Sequence, residues 1–143
     1  PITHPDMARF MISLEDGVKL VWHAFENMHG GEIYVKKIPS MKVTDIALTV
    51  SPEARQPIIG IRPGEKLHEQ MISSEDSTST YEYSGYYKIL PQINGWAEDD
   101  SRIKKSKKVP EGFVYSSDKN LEWMTKSELK NWIDMNKNYI GKI

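Results

Sequence analysis

The chain has 143 residues, and its 19 basic and 20 acidic side chains give a formal net charge of −1. This length suits one ordinary domain, and the balanced charge argues against a nucleic-acid partner. The absence of cysteine excludes disulfides and thiolate metal sites. No apolar run approaches the roughly 20 residues that cross a bilayer. We therefore expect a soluble, cytoplasmic protein that does not insert into membranes.

The chain begins with the letters PITHPDMARF, which contain no initiator Met and no polar lead-in. This start favours a piece taken from a longer protein, and a processed or tagged N-terminus is the alternative.

Helix and strand signals alternate through the first part of the chain. Helical spacing predicts a helix over 14–28, preceded by Ser13 as a cap. A β-branched and aromatic stretch predicts a strand over 32–37, and helical spacing resumes over 41–51. The apolar letters PIIGI predict a strand over 57–61 that is covered on both faces. The apolar face of the first helix consists of Leu14, Val18, Val21, Trp22, Phe25 and Met28.

After residue 70 the sequence becomes more polar. The letters YEYSGYYKIL predict a hairpin or one irregular strand. The charged tract 92–112 predicts a flexible segment or an excursion that contacts a neighbouring protomer. Thr125 and Glu128 form a capping box that predicts a last helix over 126–137. The alternation of helices and strands predicts an α/β fold.

Two groups of charged or polar residues carry little functional signal. The histidines are scattered without metal-ligand spacing, so we expect no metal site. They are His4, His23, His29 and His68. The basic run KKSKK over 104–108 is best explained as a solvated charge run.

The stretch GIRPGEKLHE, residues 60–69, is more informative. Arg62 follows a predicted strand, and ligands of open α/β sheets bind beyond the carboxyl ends of strands. A guanidinium can clamp a phosphate with two hydrogen bonds, and the Pro-Gly turn brings Glu65 back toward Arg62. Arg9, just before the first helix, is the second candidate. An exposed turn with a surface ion pair is an equally good explanation from the residues alone.

Three long strings, PDMARFMISLEDGVKLV, GGEIYVKKIPSMKVTDIA and GIRPGEKLHEQMIS, resemble the C-terminal part of the inverting UDP-N-acetylglucosamine 4,6-dehydratases. These are extended short-chain dehydrogenase/reductase enzymes of surface-glycan pathways, and the resemblance is strongest to the staphylococcal-type capsule enzymes. YSSDKNLEWMTKSEL near the end also fits. The resemblance implies a substrate-binding portion without most of the Rossmann domain. Its expected divisions are a nucleotide-sugar region over 1–91, the excursion over 92–112, and a C-terminal segment over 113–143.

The resemblance also implies roles for particular residues. Arg9 and Arg62 would hold the UDP diphosphate, and Glu65 would hold the uridine ribose. Pro1, Ile2 and Thr3 would supply backbone contacts to uracil. The parent enzyme would use NADP to oxidise the sugar at C4, eliminate water across C5 and C6, and return the hydride with inversion at C5. It would form a homo-oligomer, with a hexamer as one candidate assembly.

Members of that family carry a Gly-rich nucleotide loop and a catalytic Tyr-x-x-x-Lys pair, and we expect neither in this chain. The chain by itself is therefore expected to bind no cofactor and to have no catalytic residue. The alternative from another functional class is a free-standing, non-catalytic module that binds a nucleotide sugar or another protein. A Gly-rich loop upstream of Pro1 in the full-length protein would favour the enzyme.

Overall fold

The computed structural model of the protein describes residues 1–92 and 100–140. Helices and short strands are mixed, and their contacts define two compact units made of interleaved parts of the chain. Unit 1 contains Pro1–Met11, Pro39–Glu69 and Ser117–Ile143, and unit 2 contains Ile12–Ile38 and Gln70–Ser116.

Unit 1 is built on a two-stranded antiparallel sheet. Strand β1 (Ala8–Phe10) pairs with β3 (Ser40–Lys42). Strand β3 leads directly into helix α2 (Val43–Val50), which packs against α3 (Lys126–Met135). A short helix α4 (Lys137–Ile140) follows α3. The apolar core of this unit consists of Ile2, Met7, Ala8, Met41 and Leu129.

Unit 2 begins with helix α1 (Leu14–Asn27) and contains the larger sheet. The sheet is antiparallel with the order β2 (Ile33–Lys36), β6 (Tyr86–Ile89), β5 (Thr80–Glu82) and β7 (Lys107–Lys108). A separate pair joins β4 (Gln70–Ile72) to β8 (Tyr115–Ser116). Single-turn 3₁₀ helices occupy Asp76–Ser79 and Asp100–Arg102. The core side chains include Val35, Ile72, Tyr81, Tyr87, Leu90 and Tyr115.

The predicted helices are present, and of the two alternatives for YEYSGYYKIL the structure contains the hairpin, since β5 and β6 pair antiparallel. Helix α1 covers the range predicted for it to within one residue, and Ser13 caps it by accepting a hydrogen bond from the Asp16 N–H. The second helix starts two residues later than predicted, because Ser40 to Lys42 pair with β1 as a strand. The third begins at Lys126, directly after Thr125, and Glu128 in its first turn completes the predicted capping box.

The predicted buried strand over 57–61 is wrong. Ile58 forms only an isolated parallel bridge with Ile2, and Gly60 at φ +85° turns the backbone out of an extended path. Ile58 is 56% exposed, and Ile59 and Ile61 are exposed as well. An apolar run without alternation looks the same whether a sheet or solvent lies beside it, so the sequence could not distinguish the two.

The predicted excursion 92–112 falls partly outside the described residues, which resume at residue 100. From there the chain contributes β7 at the edge of the larger sheet, and the side chains of Arg102 and Val109 are buried. The functional division into 1–91, 92–112 and 113–143 stays a prediction.

A buried ion pair anchors the chain around Arg102 in unit 2. The Arg102 Nη1 donates to Glu32 Oε1 at 3.1 Å and to the Gly30 carbonyl at 3.2 Å. The Arg102 carbonyl accepts from the Tyr83 hydroxyl at 3.1 Å and from Lys88 Nζ at 3.2 Å. Burial alone raises the pKa of Glu32, but backbone N–H donors at His29 and Gly30 and the Arg102 charge bring it below its ordinary value.

Replacing Glu32 by Gln should therefore destabilise the protein in a pH-dependent way. At pH 7 the variant removes the charge of Glu32 from its hydrogen bond with the buried Arg102, so we expect the free energy of unfolding to fall by about 2 kcal/mol. Because the folded pKa is lower than the unfolded pKa, the Glu32 contribution is complete above about pH 4.5 and declines as the pH drops toward the folded pKa. Urea unfolding of the wild type and Glu32→Gln at pH 7 and below pH 4.5 measures the loss of unfolding free energy. Glu53→Gln, at an exposed position, is the control. A destabilisation that is equal at both pH values would contradict the assignment.

Candidate functional site

The RPGE turn closes on itself through Glu65. The Glu65 N–H donates to the Arg62 carbonyl at 3.0 Å, and the Arg62 N–H donates to Glu65 Oε2 at 3.1 Å. Gly64 lies at φ +79°, a conformation that side-chain-bearing residues rarely adopt. The turn therefore has a fixed backbone, and the Arg62 side chain is exposed above it.

The N-terminal residues lie beside this turn. The Thr3 hydroxyl is 3.3 Å from Glu65 Oε1 and donates to it. The Ile2 N–H donates to the Pro57 carbonyl at 2.9 Å, and the Ile59 N–H donates to the Ile2 carbonyl at 2.9 Å. The structure thus brings Pro1–Thr3 together with Glu65 and with the segment that leads to Arg62.

Arg9 is used differently from Arg62. Its guanidinium donates to the carbonyls of Ala8 at 2.8 Å, Leu67 at 3.1 Å and Lys66 at 2.8 Å, and its Nε lies 3.7 Å from Glu69 Oε1. A guanidinium has five N–H donors, and carbonyls occupy three of those of Arg9. Arg9 therefore fastens the loop that follows Glu65, and at most two donors remain for another ligand.

Sequence reasoning missed Ser117, which holds the end of the same loop. The buried Ser117 hydroxyl donates to the Ala8 carbonyl at 2.9 Å and accepts from the Glu69 N–H at 2.9 Å. The Ser117 N–H also donates to the Glu69 carbonyl at 2.8 Å. No local pattern marks a serine whose partners lie 109 and 48 residues away.

The six predicted site residues are therefore neighbours in unit 1. Ile2, Thr3, Glu65 and the Arg62 backbone are connected by hydrogen bonds, and Arg9 binds the chain immediately after Glu65. An exposed guanidinium can bind an anion, and a carboxylate with unused lone pairs can accept from a hydroxyl-bearing group. None of these six residues supplies a redox group.

One tyrosine and lysine do have the spacing of a short-chain dehydrogenase pair, contrary to the expectation from the sequence. Tyr115 stands four residues before Lys119. The buried Tyr115 hydroxyl, however, donates to the Ile38 carbonyl and accepts from the Ile38 N–H, both at 3.0 Å. Lys119 is exposed. A phenol occupied in this way serves the packing of unit 2, and these two residues do not fit the chemistry of a nicotinamide cofactor.

Two further features of the described ranges 1–92 and 100–140 bear on function. Within them, no cluster of three or more His, Cys, Asp or Glu side chains could hold a metal ion. None of the helices in this part of the chain has the length and apolar character of a membrane span.

Comparison with known proteins gives consistent matches. The profile of a family described as polysaccharide biosynthesis protein matches residues 1–91. A UDP-N-acetylglucosamine 4,6-dehydratase (inverting) of Campylobacter jejuni serotype O:2 is 55% identical over 134 residues, which are 90% of this chain and 40% of that protein. A UDP-glucose 4-epimerase of Rickettsia akari is 39% identical over 92 residues, which are 62% of this chain and 27% of the epimerase.

A solved structure is similar as well. The X-ray structure of Pen from Bacillus thuringiensis matches with a TM-score of 0.78 and 26% identity, over 95% of this chain and 41% of that chain. The chain thus spans about two fifths of the dehydratase and of Pen.

Replacing Arg9 by Met should loosen the loop even without a ligand. The variant keeps an unbranched, flexible side chain but loses all donors to Lys66 and Leu67. We expect amide hydrogen exchange at Arg62, Glu65 and Glu69 to rise about tenfold, because each lost hydrogen bond is worth on the order of 1 kcal/mol.

The exposed Arg55 provides the matched control, so Arg55→Met should leave the exchange unchanged. Unaltered exchange in Arg9→Met would show that Arg9 does not fasten the loop.

Proposed function

The chain belongs to the polysaccharide biosynthesis protein family, and from this premise we propose that it is the substrate-binding part of an inverting UDP-N-acetylglucosamine 4,6-dehydratase. The observation that carries the proposal is the loop with an exposed Arg62 beside a fixed Glu65, in a chain 55% identical to such an enzyme. The predicted fold class, a mixed α/β portion of an extended short-chain dehydrogenase/reductase, is confirmed.

The proposed role of Arg62 is to bind the diphosphate of the UDP-sugar. Its backbone is fixed by two hydrogen bonds within the turn, while its side chain is exposed. The permanently charged, planar guanidinium matches the geometry of a phosphate. Its fixed backbone reduces the conformational entropy lost on binding. Arg9, proposed as a second diphosphate contact, would use the donors that its carbonyl partners leave over.

The proposed role of Glu65 is to accept hydrogen bonds from the ribose hydroxyls. Each of its two oxygens already accepts one protein donor, from Thr3 and from the Arg62 N–H. A carboxylate offers about four acceptor sites, so two remain for the ribose diol. The uracil contact would fall mainly to Pro1 and Thr3, because the Ile2 N–H is taken by Pro57.

This chain would be part of a longer protein. We propose that this protein uses the nicotinamide cofactor NADP, lies in the cytoplasm and forms a homo-oligomer. The names of the relatives support the sugar nucleotide and the dehydratase reaction, and the family description supports a polysaccharide pathway, for which we propose capsule synthesis. The predicted absence of a nucleic-acid partner also remains part of the proposal.

The Arg62→Ala substitution in the full-length protein should weaken UDP-sugar binding by roughly ten- to a hundredfold, because a charge-assisted hydrogen bond is worth about 1.5–3 kcal/mol. Arg62→Lys should restore only part of the affinity, since lysine cannot make the two-pronged contact. Titration calorimetry with UDP measures both, and Arg55→Ala is the control. Equal dissociation constants for the wild type and Arg62→Ala would show that the turn is only structural.

The 143-residue chain alone should not turn over UDP-N-acetylglucosamine and should not bind NADP. The described Tyr115 and Lys119 are not arranged for hydride chemistry, and the sequence has no Gly-rich dinucleotide loop. Product analysis by mass spectrometry and NADP titration test this. If the chain binds UDP without any turnover by the full-length protein, the alternative of a non-catalytic nucleotide-sugar module is favoured.

A further inference from the structure

The side chain of Thr3 links the N-terminal segment to the candidate site. Thr3 is buried, and its backbone follows Ile2, whose N–H and carbonyl are both paired with the segment 57–59. The Thr3 hydroxyl oxygen lies 3.3 Å from Glu65 Oε1 and 3.4 Å from Met7 Sδ. A hydroxyl has a single proton, and a carboxylate accepts it better than a thioether does. Thr3 therefore donates to Glu65.

The two carboxylate oxygens of Glu65 are held from different parts of the chain. Oε2 accepts from the Arg62 N–H in the same turn, whereas Oε1 accepts from Thr3, which is 62 residues away. The last torsion of a glutamate side chain has a broad, roughly two-fold energy profile, so one hydrogen bond leaves the carboxylate free to rotate. A second donor on the other oxygen fixes the plane of the group, and Thr3 supplies that donor.

We propose that Thr3 is a positioning residue for ribose recognition, because its hydroxyl sets the plane in which Glu65 presents its remaining lone pairs. This inference rests on the proposed function of Glu65. The two neighbouring hydroxyls of a ribose can both donate to one carboxylate only when its plane faces them. Thr3 thereby favours a nucleotide that carries both hydroxyls over an analogue that lacks them. The proposed contact of Thr3 with uracil uses backbone atoms, so the two roles are compatible.

Thr3→Val in the full-length protein tests the proposal, because valine keeps the branched shape of the side chain but removes the hydroxyl. Titration calorimetry with UDP and with dideoxy-UDP, which lacks both ribose hydroxyls, measures the effect. We expect Thr3→Val to weaken UDP binding by roughly three- to tenfold, since the freed Glu65 side chain must then be ordered by the ligand. The affinity for dideoxy-UDP should not change. Thr3→Ser keeps the hydroxyl and should restore most of the affinity for UDP.

Thr49→Val is the matched control, since Thr49 lies on α2 in the same unit and its hydroxyl donates to the Asp45 carbonyl at 2.7 Å. It should change neither affinity. An equal loss of affinity for both nucleotides in Thr3→Val would overturn the proposal, because damage to the site as a whole affects both ligands alike. Unchanged binding of UDP by Thr3→Val would overturn it as well.

Glu65→Ala separates this inference from the proposed function on which it rests. The proposed role of Glu65 predicts that this variant loses the preference for UDP over dideoxy-UDP, and that adding Thr3→Val to it has no further effect. If Glu65→Ala loses the preference and Thr3→Val keeps it, Thr3 is not a positioning residue and the role of Glu65 stands. If Glu65→Ala keeps the preference, both proposals fail.

Discussion

The hydrogen bonds from the Arg9 guanidinium to the carbonyls of Lys66 and Leu67 are the contacts on which the candidate site depends. Arg9 lies on β1, which is fixed by its pairing with β3. The loop 60–69 is not part of a regular strand or helix, so its backbone carbonyls need hydrogen-bond donors from elsewhere. One guanidinium supplies several donors in a rigid plane. Arg9 therefore holds an otherwise irregular loop against the small sheet.

Glu65 combines a structural and a proposed binding role in one carboxylate. It closes the turn by accepting from the Arg62 N–H and links the turn to Thr3. A side chain held by two hydrogen bonds before the ligand arrives loses little freedom when it binds, which favours affinity and orientation. The earlier alternative of an exposed turn with a surface ion pair is thus not simply opposed to the binding role. The turn is exposed, and the described contacts that fix it lie between Glu65 and the backbone of Arg62.

The two units differ in how they use polar groups. In unit 1 the polar contacts secure a loop whose proposed role is to meet a ligand. In unit 2 they stay internal, since Glu32, Lys88 and Tyr83 all gather around Arg102. Burial lowers the pKa of Lys88, with the charge of Glu32 opposing the shift, and Lys88 Nζ also lies 5.2 Å from the centre of the Tyr34 ring. Glu32, Lys88 and Tyr83 thus bond to Arg102 inside the unit, whereas the apolar side of α1 is left facing outward.

The sequence alone determined the helices and the identity of the turn residues, and it left a hairpin or one irregular strand open over YEYSGYYKIL. Capping boxes and the 3.6-residue period are local, so α1 and α3 could be located without a tertiary structure. The strings that carry the resemblance to the family are local as well. Only the tertiary structure decided that Ile58 is exposed, that Tyr115 is buried beside Ile38, and that Ser117 and Arg9 hold the loop. Each of these depends on residues distant in sequence, and neither periodicity nor spacing records which distant backbone groups a side chain will meet.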